Sequence, residues 1–104
     1  MEFLEDLLKE IKKRPGMFLG KKSLLSLHSF LAGYMMARLD MGLSTTKQEQ
    51  KFNDFAEWIP IKFNDNSTRS WAGIILLNSE DESQAFDRFF ELLEEFKNLQ
   101  SKQQ

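Results

Sequence analysis

Between Ala85 and Phe96, apolar residues recur three or four positions apart. Phe86, Phe89, Phe90, Leu93 and Phe96 form one stripe, and Asp87, Glu91, Glu94 and Glu95 take positions between them. That spacing makes a helix whose apolar side must be covered by other elements. The spacing recurs upstream. Leu4, Leu7, Leu8 and Ile11 mark a first helix over Glu2 to Arg14, with acids early and bases late, stopped by Pro15-Gly16. A second helix is expected from Ser23, a good N-cap, to about Asp40, ended by Gly42. It is apolar around most of its circumference, which predicts a place at the centre of a bundle.

Thr46 followed by Glu49 is a capping-box pattern. Phe52, Phe55, Ala56 and Ile59 then continue a third helix, expected to end before Pro60. Residues 61–63 read as one short extended stretch before the loop signal Asn64-Asp65-Asn66-Ser67. The run Ile74-Ile75-Leu76-Leu77 suits a buried strand or a buried helix. With no second convincing strand to satisfy its backbone, a helix is preferred. Ser79 with Glu82 forms another capping box, opening the last helix, which should reach about Leu99 before a frayed polar tail. The expectation is an all-α fold: a compact bundle of about five helices in a single domain over 1–104.

Composition narrows the chemistry. Ten Phe and two Trp among 104 residues give an aromatic core, each buried ring removing roughly 150–250 Å² from water. There is no Cys, so disulfides, thiol catalysis and thiolate metal sites are excluded. His28, the one histidine, shares a stripe with Leu24, Leu31 and Met35 and reads as a packed core residue. Neither a cofactor motif nor a metal-ligand cluster is present, and no paired nucleophile and base suggests an enzyme. The acidic opening lacks the basic start of a secretory signal, and no apolar run approaches the roughly 20 residues of a membrane span. A cytoplasmic location is expected.

Charge is unevenly spread along the chain, although its formal net value is only −2. Lys9, Lys12, Lys13, Arg14, Lys21 and Lys22 crowd the first turn, against Glu10 alone. Glu80, Asp81, Glu82, Asp87, Glu91, Glu94 and Glu95 crowd the stretch from Ser79 to Phe96, against Arg88 alone. The acidic set is the candidate partner-binding site, since clustered carboxylates steer encounter with a basic protein. The alternative is a regulatory or nucleic-acid-associated protein using the basic segment 12–22 on phosphates. Helical aromatic stripes, rather than an open stacking platform, weigh against nucleic acid.

The run Arg14-Pro15-Gly16-Met17-Phe18-Leu19-Gly20 resembles one in the ATPase region of type II topoisomerase B subunits. The accompanying Asn-and-Asp and glycine-rich motifs are lacking, so it reads as a turn packing Met17, Phe18 and Leu19 on the core. A wider pattern runs on from it through Lys21-Lys22-Ser23-Leu24 and Leu27-His28-Ser29-Phe30-Leu31-Ala32-Gly33-Tyr34. Ser70-Trp71, Ile74-Ile75 and Asp81-Glu82 follow, then Ala85-Phe86-Asp87-Arg88-Phe89-Phe90-Glu91-Leu92-Leu93-Glu94-Glu95-Phe96. Together these resemble a family of small bacterial immunity proteins encoded beside polymorphic or contact-dependent growth-inhibition toxins. The similarity covers Leu4 to Phe96 apart from the Leu43 to Asn66 region. It implies a non-enzymic inhibitor that binds the C-terminal domain of a cognate toxin, often a nuclease, and occludes it.

Overall fold

The computed structural model describes residues 3–102. Six helices follow one another: α1 (Leu4–Lys13), α2 (Pro15–Leu19), α3 (Leu24–Asp40), α4 (Lys47–Lys62), α5 (Trp71–Leu77) and α6 (Glu82–Lys102). No strand occurs among the described residues, and the all-α expectation holds. The Ile74–Leu77 run is helical, with Ile74 and Ile75 fully buried and Ser70 Oγ accepting from Gly73 N at 3.1 Å. α5 packs against α3, α4 and α6. In this position its short apolar length needs no strand partner.

The core is aromatic, as composition requires. Phe55, Phe86 and Phe89 are its largest buried side chains. Phe55 and Phe89 meet edge to face at 5.6 Å, and Trp71 lies 5.3 Å from Phe89 and 5.5 Å from Phe52. α1 closes one side with Leu4, Leu7, Leu8 and Ile11, all buried.

Four local expectations are corrected. The Arg-Pro-Gly run is a one-turn helix, α2, rather than a plain turn. Pro15 starts it with its fixed φ, and Gly20 ends it at φ +80°. Phe18 and Leu19 pack on the core, but Met17 is 65% exposed. Residues 61–63 are not extended, because α4 runs through Pro60 to Lys62. Pro60 denies only the Ala56 carbonyl its N–H, near the helix end. Phe63 N still donates to Ile59 O at 3.1 Å and Asp65 N to Pro60 O at 2.9 Å. Burial of Ile59 supplies about 1.5–3 kcal/mol against the roughly 3 kcal/mol a proline costs.

The Ser79–Glu82 capping box does not form. Ser79 Oγ instead donates to Ile75 O at 2.7 Å, closing α5, and Asp81 Oδ1 accepts from Gln84 N at 2.8 Å, opening α6. α6 then continues past Leu99 to Lys102. The fourth correction concerns α3. Only Leu24, Leu27 and Leu31 are buried, while Leu25, Met36 and Leu39 are exposed. This helix lies on the outside.

The Thr46–Glu49 capping box is present in both directions, at 3.1 Å each. Glu49 also faces the Arg38 guanidinium of α3, and Tyr34 lies near both. Burial pushes the Tyr34 phenol above its ordinary value of 10.0, Glu49 adds to the rise and Arg38 opposes it. A folded-state value above the unfolded one means that the neutral phenol stabilises the fold. That contribution is complete below pH 10 and is lost as pH rises through the folded-state value. Tyr34 is the chain's one tyrosine, so phenolate absorbance reports it alone. Its native titration midpoint should lie above that of the unfolded chain in denaturant. Coincident midpoints would contradict this placement.

Candidate protein-docking surfaces

α6 is held by Ala85, Phe86, Phe89 and Leu92, all buried, so its opposite side presents a fixed row of charges. Asp87, Glu91 and Glu94 stand at i, i+4 and i+7 on that outer side. They span about 10 Å along the axis. The side chains of Asp87 and Glu91 are 55% and 67% exposed, and Glu94 is exposed as well. Of the seven acids grouped by sequence, these three share one stripe.

Of the other four, Asp81, Glu82 and Glu95 have local work. Glu82 turns inward and accepts from Ser23 Oγ at 3.0 Å and from Leu25 N at 3.2 Å. A carboxylate there satisfies a free amide at the start of α3 and meets the positive end of its dipole. Asp81 caps α6, as described. Glu95 pairs with Lys62 of α4. Glu80 precedes the helix, its backbone N–H facing Gln84 Oε1. The row itself is partly compensated, since Asp87 meets Lys22 Nζ at 2.8 Å and Glu91 lies 3.9 Å from Arg88. Among the described residues, Glu94 has no ion-pair partner.

Two residues of the basic segment reach α6. Lys22 holds Asp87, and Lys12 Nζ sits 5.6 Å above the Phe90 ring. Lys9, Lys13, Arg14 and Lys21 remain exposed, so most of the basic segment keeps its charge outward.

Concave features complete the surface, and one of about 710 Å³ is lined by Phe18, Leu19, Lys21, Leu25, Ser29 and Glu82. A cleft of about 590 Å³ lies between α1, α4 and α6, with Leu4, Leu8, Phe52 and Phe96 on its walls and Lys51 and Lys97 among its polar lining residues. A smaller cleft of about 180 Å³ between α3 and α4 is lined by Leu31, Ala32, Met35, Ala56, Asn53 and His28. His28 is half-buried, its ring edge on Trp71 at 5.2 Å, as a packed histidine should be. No group of three or more His, Asp or Glu placed to hold a metal ion occurs among the described residues. No helix among them is long and apolar enough to cross a membrane.

The exposed apolar side of α3 escaped sequence reasoning. Leu25, Ala32, Met36 and Leu39 share it, and the helix carries only Arg38 and Asp40 as charged residues. An apolar circumference shows that every face can be covered, but not which face the chain's own core covers. Comparison with protein-family models, with curated proteins and with solved structures yields no match of significance in any of the three.

Proposed function

We propose that this chain is a toxin-neutralising immunity protein that binds the C-terminal domain of a cognate toxin stoichiometrically through the outer face of α6. The observation that carries this reading is the row Asp87, Glu91 and Glu94, exposed along a helix that the aromatic core holds in place. Binding energy is not spent on ordering a helix already rigid before encounter. A carboxylate row suits a basic groove, the feature a nuclease uses for phosphates. The family resemblance, which covers Leu4 to Phe96 apart from the Leu43 to Asn66 region, supplies the toxin partner and implies inhibition by occlusion.

The test is the triple variant Asp87→Lys, Glu91→Lys, Glu94→Lys, assayed against the toxin domain encoded next to this gene. Wild-type association should slow as salt rises. The variant should associate at least about tenfold more slowly at low salt and protect cells less. Its circular dichroism and thermal midpoint should stay close to wild type, because surface ion pairs such as Asp87–Lys22 contribute only about 0–1 kcal/mol. Unchanged association and protection would remove α6 as the contact face.

A further inference from the structure

The outer face of α3 is the largest feature that the proposed function leaves unused. Leu25, Ser29, Ala32, Met36 and Leu39 follow one another at alternating spacings of four and three residues. That is the seam of a two-stranded helical pair. Among the described residues nothing buries it: Leu25 is 44%, Met36 60% and Leu39 70% exposed. We infer that a second copy of this chain covers it, with the two α3 helices antiparallel and crossing at Ala32.

The sequence of the face is self-complementary about that residue, as a two-fold interface requires. Leu25 lies seven residues before Ala32 and Leu39 seven after, so each meets the other across the axis. Ser29 lies three before and Met36 four after, which places a long side chain opposite a short one at both ends. At the centre, Ala32 and Gly33 let the backbones approach closely.

Charge fits the same register. Asp40, the exposed acid at the end of the stripe, comes opposite the start of the other α3. Lys21 is exposed there, while Glu82 and Lys22 are already engaged with Ser23 and Asp87. Antiparallel helices also set opposite dipole ends together.

The 17 residues of α3 give a contact about 25 Å long. One helix face buries less than the roughly 800 Å² per partner of a standard interface. The dimer is therefore reversible and concentration-dependent.

Sedimentation equilibrium of the wild-type chain should show the mean mass rising from 12.2 kDa towards twice that value with concentration. Met36→Glu with Leu39→Glu should hold it at one chain without moving the thermal midpoint. Asp40→Lys should weaken self-association, and adding Lys21→Glu should restore it. Register has its own test, because the chain lacks cysteine. Ala32→Cys should cross-link to itself under mild oxidation at least tenfold faster than Ala37→Cys, an exposed position on another side of α3. A single-chain mass at every concentration, or equal cross-linking at the two positions, would overturn the dimer.

Discussion

Phe55→Ala is expected to remove about 3–5 kcal/mol of stability, the largest loss from any one truncation in the core. Phe55 is fully buried and touches five other rings. Phe52, Trp58, Trp71, Phe89 and Phe96 have centroids between 5.6 and 6.3 Å away. Two contributions add. Removing the ring forfeits its transfer free energy, and the cavity left among rigid aromatic neighbours cannot collapse. The edge-to-face contact with Phe89 is worth about 0.5–1.5 kcal/mol beyond area.

A domain of this size has only about 5–15 kcal/mol in total, so Phe55→Ala should be close to unfolded at physiological temperature. Urea titration measures it as a fall in midpoint with little change of slope. Phe55→Leu should cost less, since it keeps apolar volume, and Phe3→Ala much less, since Phe3 is already 49% exposed. A Phe55→Ala loss below about 1 kcal/mol would mean that the ring cluster is not the centre of the fold.

Periodicity made the aromatic cluster legible, because Phe52, Phe55, Phe86, Phe89 and Phe96 fall on stripes that only a core can satisfy. The same reasoning misplaced α3. Periodicity reports the polarity of a face, and a face destined for a second molecule looks identical to one destined for the first. Pro60 misled for a related reason. A local rule forbids helix there, but burial of Ile59 nearby and the reclosed hydrogen bond of Phe63 outweigh one missing donor.

The acidic set was legible as composition and not as geometry. Glu82 read as the capping-box partner of Ser79, yet Ser79 closes α5, Asp81 opens α6 and Glu82 crosses to α3. Which carboxylate stays outside depends on contacts nearly sixty residues away in the chain, such as Ser23 to Glu82. No spacing rule reaches that far.

Contacts across a single connection decide the second large effect, Arg38→Met. Arg38 joins α3 to α4. Its Nη2 donates to Ser44 O at 2.8 Å, and Nε lies within ion-pair distance of Glu49 Oε2 without an aligned hydrogen bond. The Glu49 side chain is only 5% exposed, and Arg38 shields it. Methionine keeps much of the volume but leaves a buried carboxylate with the Thr46 N–H as its remaining partner.

Stranding one member of a buried pair costs about 3–5 kcal/mol. The lower end is expected, because the Arg38 side chain is itself 21% exposed and water can reach the gap. Charge, rather than lost packing, should account for most of the effect, and a second substitution separates the two. Glu49→Gln keeps the shape of the capping box and removes the charge, so in the Arg38→Met background it should recover at least half the loss. Tyr34 gives an independent reading, since Arg38 opposes the rise in its phenol value that Glu49 reinforces. Its titration midpoint should therefore climb further in Arg38→Met and fall back when Glu49→Gln is added. Recovery of stability without that return would place the effect in packing and leave the ion pair incidental.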